Sequence, residues 1–129
     1  IVDHYRDIVT DINEAMGSMG RNLGHRVWQS ITNYMLNHPT VIRSAKSGNN
    51  DKLKQQLDMA FSEAVAFKIM PKLRGVETNG VYEEYLLAIG KIINKEIPEL
   101  AKDFEKACKL PTGLFQWCSA DFLMEKEEQ

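Results

Sequence analysis

The segment Gly24-His25-Arg26 carries the residues best suited to contacting an anion, and it is followed by the core-type residues Val27 and Trp28. An arginine in the first turn of a helix is held on rigid backbone. It can therefore present its planar guanidinium to a phosphate or a carboxylate. A surface arginine paired with an acidic residue would have the same spacing, so spacing alone leaves both interpretations open.

A second group of cations ends the segment 68–75, which reads KIMPKLRG. Pro71 removes a backbone donor, Lys72 and Arg74 suit the negative end of a helix dipole, and Gly75 suits a left-handed stop. Cations that merely end a helix explain this pattern as well as cations that bind a ligand.

Residue patterns typical of catalysis or metal binding are missing from the sequence. The three histidines are scattered, and neither Gly-x-Ser-x-Gly nor His-Glu-x-x-His occurs. The glycine-rich stretch 17–24 lacks the Lys-Ser/Thr pair of a phosphate-binding loop. Cys108 and Cys118 form no CxxC motif, so we expect reduced thiols. The sequence predicts no catalytic residue and no metal site.

Composition indicates one globular domain over residues 1–129, with 43% apolar and 26% charged residues. The net charge of −2 favours neither nucleic acid nor an anionic membrane as a partner. No apolar run has the length of a membrane span and no signal-type start is present, so we expect a cytoplasmic protein with no membrane partner. Because the chain begins at Ile1 inside a helical pattern, we expect a fragment of a longer chain.

The apolar residues recur at helical spacing, which places the segments described above at helix ends. This periodicity predicts an all-α fold, a bundle of about five to six helices. The apolar residues of the five main helices span 1–19, 27–35, 53–73, 81–93 and 98–108. A short helical turn is expected near 41–45 and a last short helix over 114–123. The third main helix is apolar on most of its circumference, which predicts a central position.

Taken in order, three motifs resemble the C-terminal helical lid subdomain of McrB-like AAA+ ATPases, the motors of modification-dependent restriction systems. The motifs are the Ile-Asn pair at 12–13, Gly-His-Arg-Val at 24–27, and KIMPKLRG at 68–75, in which Met70 replaces a leucine. The resemblance covers about residues 5–76. Residues 1–76 are therefore expected to be AAA+ lid-like, and residues 77–129 to form a helical extension.

This resemblance implies a role in a nucleotide cycle. A lid of this type packs over nucleotide held by a preceding α/β domain, and Arg26 would be the sensor 2-like residue that contacts the terminal phosphates. Gly24, His25, Lys72 and Arg74 would be nucleotide or inter-subunit contacts. The implied cofactor is ATP or GTP with Mg²⁺, bound mainly by the upstream domain.

The implied partners are the chain's own upstream AAA+ α/β domain, neighbouring subunits of a ring oligomer, a nuclease subunit and, indirectly, DNA. The sequence lacks a Walker A lysine and a Walker B acidic pair. Hydrolysis is therefore expected only of the longer parent protein, an NTP hydrolase of the AAA+ ATPase type.

An alternative from another class is a free-standing helical protein-protein interaction module. Trp117 and Phe122 would then be the aromatic anchors that dock a partner helix. Direct nucleic-acid binding is disfavoured, because the 18 acidic residues outnumber the 16 basic ones and the cations do not cluster in the sequence.

Overall fold

The computed structural model describes residues 2–118, which form six α-helices and two short 3₁₀-helices. The α-helices are α1 (Asp3–Ser18), α2 (His25–Asn37), α3 (Pro39–Ser47), α4 (Asn50–Lys68), α5 (Glu83–Glu96) and α6 (Ala101–Cys108), and the 3₁₀-helices are Met70–Leu73 and Pro98–Leu100. The predicted all-α bundle is confirmed. Within the same residues, no helix has both the length and the apolar character needed to cross a membrane.

Helix boundaries follow from local chemistry. Pro39 stands in the first turn of α3, where its missing N–H costs nothing, and the ring Nδ1 of His38 accepts a hydrogen bond from Thr40 N at 3.3 Å. Asn49 caps α4 in the same way, because its side chain accepts from Lys52 N at 3.1 Å. The chain can therefore turn sharply from α2 into α3 and from α3 into α4.

Helix α4 is the centre of the bundle, as its apolar circumference predicts. Its buried residues include Leu57, Phe61 and Val65, and it packs against both α2 and α3. The ring of Tyr5 from α1 lies 4.8 Å from that of Phe61. Helix α1 also packs against α5, which packs against α6, so one continuous core joins the two halves of the sequence.

The short helix predicted from Leu114 onward is wrong for residues 114–118, which are not helical. Leu114 instead forms an isolated antiparallel bridge with Glu77, and Phe115 N donates to Val76 O at 2.8 Å. Gly113, with φ +72°, turns the chain back so that these backbone groups meet. The non-local pairing satisfies the backbone there, and the rest of the predicted helix lies outside the described residues.

Two phenol–carboxylate pairs fasten neighbouring helices to α4. Tyr5 donates from its hydroxyl to Asp58 Oδ1 at 2.5 Å, and Tyr34 donates to Glu63 Oε2 at 2.5 Å. Burial, reinforced by the bonded carboxylate, raises the pKa of Tyr5 well above its usual value and that of Tyr34 to about 12.

The raised pKa of Tyr34 predicts a loss of stability at high pH. An unfolded tyrosine ionises near 10.0, below the folded value of about 12. The stabilisation is therefore complete below pH 10 and is lost as the pH rises through the folded pKa. We expect the free energy of unfolding, measured with urea, to fall less between about pH 10 and 12 in Tyr34→Phe than in the wild type. Tyr82→Phe is the control, because no hydrogen bond joins that hydroxyl to another residue of 2–118; equal slopes for Tyr34→Phe and wild type would contradict the prediction.

Candidate functional site

Helix α2 begins with its positive end open to solvent. Gly24 is the N-cap residue in an extended conformation (φ −74°, ψ 164°), and no side chain caps this end of the helix. His25 and Arg26, the first two helical residues, are both exposed. The unsatisfied N–H groups and the helix dipole therefore make this end attractive to an anion.

The side chain of Arg26 is exposed, and no ion pair or side-chain hydrogen bond joins it to another residue within 2–118. The part of the chain that the structure describes thus offers Arg26 no carboxylate, contrary to the interpretation as a paired surface arginine. Its five donors remain available to a ligand or to another domain.

Asn13 fixes the position at which α2 begins. This residue lies on α1 beside the fully buried Ile12, and its side-chain Oδ1 accepts a hydrogen bond from Leu23 N at 2.7 Å. The bond holds the connection between α1 and α2 one residue before Gly24. The Ile-Asn pair that contributes to the family resemblance therefore positions the α2 N-terminus.

Arg21 joins the connection between α1 and α2 to the end of the KIMPKLRG segment. Its Nη1 donates to Lys72 O at 3.0 Å and to Arg74 O at 2.7 Å. Gly75 has a φ of +85°, and a Cβ added there would lie 3.7 Å from Arg21 Nη2. That Cβ would be in ordinary van der Waals contact, so it is the positive φ that favours glycine here. The guanidinium satisfies two carbonyl groups at the end of the 3₁₀-helix.

This contact links the connection that precedes Gly24 to the backbone of the 68–75 segment. The side chains of Lys72 and Arg74 are exposed, and no contact joins them to Arg26 among the described residues. Sequence analysis did not single out Arg21, because its partners are backbone carbonyls, which have no signature in a sequence.

The described residues offer few groups for metal or thiol chemistry. Among residues 2–118, no group of three or more histidine, cysteine or acidic side chains could hold a metal ion. Burial raises the pKa of the Cys108 thiol to about 11, with Glu105 adding to the effect. The thiol is therefore protonated and weakly nucleophilic at neutral pH.

Of the two anchors expected for an interaction module, Trp117 is not presented on the surface. Trp117 is only 9% exposed and belongs to the core, while Phe122 lies outside the described residues. Large apolar side chains are exposed elsewhere, with Val81 81% and Leu87 60% exposed. Leu87 also lines a groove of about 380 Å³ between α5 and α6, together with Phe104.

Loss of the Arg21 contacts is expected to destabilise the fold. Hydrogen bonds that involve a charged group contribute about 1.5–3 kcal/mol, and partial exposure places this one at the low end of the range. We expect Arg21→Ala to lower the free energy of unfolding in urea by about 1–2 kcal/mol. Arg6→Ala, at an exposed position on α1, should change it by less than about 0.5 kcal/mol. An equal effect of the two changes would contradict a bridging role for Arg21.

A family model matches residues 1–121 of the chain, and its description is a domain of unknown function (DUF8727). Neither a curated protein nor a solved structure matches the chain. The family match includes the α2 N-terminus, the segment that ends at Gly75 and the helices that follow. The residues expected to be lid-like and most of those expected to form an extension therefore fall within one family match.

Proposed function

This chain belongs to the DUF8727 family of domains of unknown function, and we propose that it is the helical lid of an AAA+ ATPase in a McrB-like, restriction-type motor. One observation carries the proposal: Arg26 is exposed and unpaired within residues 2–118, at a helix N-terminus that no side chain caps. A guanidinium in that position is suited to a phosphate group held by another domain.

Charge explains why such a contact would distinguish nucleotides. The terminal phosphate of a triphosphate brings additional negative charge, and both the helix dipole and Arg26 favour negative charge at this place. A diphosphate lacks that group. On this proposal Arg26 binds the triphosphate state more strongly, and His25 and the backbone of Gly24 lie beside the phosphates.

Two contacts support a mechanical role. Asn13 holds the connection between α1 and α2 from one side, and Arg21 ties it to the backbone at Lys72 and Arg74 on the other. A force that a bound phosphate exerts on Arg26 would therefore move the bundle as a unit rather than bend α2 alone. Loss of the terminal phosphate would release that pull and change the orientation of the lid.

The other components of the proposed motor follow from the family resemblance. ATP or GTP with Mg²⁺ would be bound mainly by an α/β domain that precedes Ile1 in the parent protein. Lys72 and Arg74 would face the nucleotide or the next subunit of a ring, and a nuclease subunit would act on the DNA. The proposal places the motor in the cytoplasm.

The test is the nucleotide preference of the parent protein. We expect Arg26→Ala to weaken binding of a non-hydrolysable triphosphate by about ten-fold or more, which corresponds to about 1.4 kcal/mol, and to leave diphosphate binding unchanged. Arg43→Ala, at an exposed arginine on α3, is the matched control. An Arg26→Ala protein that keeps the wild-type ratio of the two affinities would remove Arg26 from the proposed site.

A second candidate is a protein-protein interaction module, favoured by the exposure of Leu87 beside the groove between α5 and α6. The two candidates use different surfaces. Arg26 lies at the start of α2 and Leu87 lies on α5, so variants at the two positions separate them.

A further inference from the structure

The exposed side of α5, beside the groove between α5 and α6, carries a short line of charged and apolar residues. Glu83, Leu87 and Lys91 stand four residues apart and are all exposed, with Leu87 60% exposed. Residues four apart lie on the same side of a helix. Neither charged residue forms an ion pair with another residue of the described chain. We call these three residues the α5 stripe.

The α5 stripe is self-complementary. Glu83 and Lys91 lie about 6 Å along the helix axis on either side of Leu87, because each residue rises about 1.5 Å. If two copies of α5 pair in antiparallel orientation around a two-fold axis at Leu87, Glu83 of each copy faces Lys91 of the other. A parallel pair would bring like charges together, so the charges select one orientation.

We propose that the α5 stripe is an isologous interface, through which two copies of this chain pair with their α5 helices antiparallel around Leu87. In such an interface the same patch serves both copies. The Leu87 side chains of the two copies would be buried against each other, and an ion pair between Glu83 and Lys91 would lie on either side of them. This inference stands on α5 alone and does not depend on the proposed nucleotide function.

Gly90 marks a close approach between α5 and α6 of one chain, beside Leu87. A Cβ added at Gly90 would lie 3.4 Å from Phe104 Cε1, so α5 and α6 pack closely there. Gly90, Leu86 and Phe104 line the groove beside Leu87.

The pairing is expected to be weak and reversible. Helix α5 has 14 residues, so it is about 21 Å long at about 1.5 Å per residue. One helix pair of this length buries less than the roughly 800 Å² per partner of a standard stable interface. Exposed ion pairs add little affinity, so Leu87 supplies most of it and the charges supply orientation.

The test is sedimentation equilibrium of the 129-residue chain in low salt, at concentrations from about 10 μM to 1 mM. An interface of this size is expected to give a measurable fraction of dimer in that range. We expect a monomer–dimer equilibrium for the wild type and for Val81→Glu, and only monomer for Leu87→Glu. Val81 is the matched control because it is more exposed than Leu87, at 81%, and lines a different depression. Unchanged circular dichroism would show that the variants fold.

Charge reversal identifies the orientation. Glu83→Lys and Lys91→Glu should each weaken dimerisation about ten-fold, because both flanking pairs become repulsive. The double variant should regain wild-type association, and an equimolar mixture of the two single variants should form a heterodimer. A wild type that stays monomeric, a Leu87→Glu dimer, or a double variant that fails to recover would each overturn the proposal.

Discussion

If the chain is the lid of the proposed motor, replacing Arg26 by alanine is expected to slow nucleotide hydrolysis by that motor about 10²- to 10³-fold, the usual loss when one preorganised donor to a developing charge is removed. The exposed guanidinium at the open end of α2 is held on rigid backbone. In the proposed motor, it would therefore stabilise charge on the transferred phosphate without reorganising. Turnover at saturating ATP or GTP, with Mg²⁺ present, is the measurement.

Arg26→Lys separates geometry from charge. A lysine keeps the positive charge but loses the planar fork, so we expect an intermediate rate. Arg43→Ala should leave the rate unchanged, since that arginine lies on α3. Wild-type turnover in Arg26→Ala would reject the role of this residue in the motor, while leaving the dimer interface on α5 unaffected.

Replacing Phe61 by alanine is expected to lower the free energy of unfolding by about 3–5 kcal/mol, which is typical of a fully buried phenylalanine. Phe61 is 1% exposed, lies on the central helix α4 and contacts the ring of Tyr5. Its loss removes buried apolar surface and leaves a cavity between α1 and α4. Because whole domains are stable by only about 5–15 kcal/mol, the variant should unfold at far lower urea concentration.

The control stands on the same helix. Phe67 is 36% exposed, so Phe67→Ala removes less buried surface and should cost less than about 1.5 kcal/mol. Urea unfolding followed by circular dichroism at 222 nm measures both variants. Equal losses would contradict the central position of Phe61 in the core.

Sequence periodicity predicted the helices well where the pattern was long. Helices α1, α4 and α5 each present an apolar side over several turns, and their cores contain Ile12, Phe61 and Ile89 as that pattern requires. The left-handed conformation of Gly75, with a φ of +85°, was also predictable from a glycine at the end of the KIMPKLRG segment. The α-helix predicted to reach residue 73 instead ends at Lys68, and a 3₁₀-helix follows it. The failure came at Leu114 to Cys118, where a short apolar run was interpreted as a helix.

The candidate site was predictable in part. The exposed positions of Arg26, Lys72 and Arg74 follow from their places beside helix ends. Arg21 was missed, because the sequence around an arginine in a glycine-rich connection does not indicate which backbone carbonyl groups it will bind. The α5 stripe was missed for a related reason. The apolar periodicity of α5 predicts its buried side, but it does not predict which part of the polar side stays uncovered by other helices.

The sequence by itself determined where the longer helices lie and which side of each is apolar. These properties depend on residues that are close together along the chain, so the spacing of residue types in the sequence is enough to predict them. The tertiary structure alone decided that Phe115 pairs with Val76, that Trp117 is buried, and that Arg21 binds the backbone at Lys72 and Arg74. Those contacts join residues that are 39 to 53 positions apart or depend on packing between helices. Their partners are backbone groups and surfaces that come together only when the bundle closes.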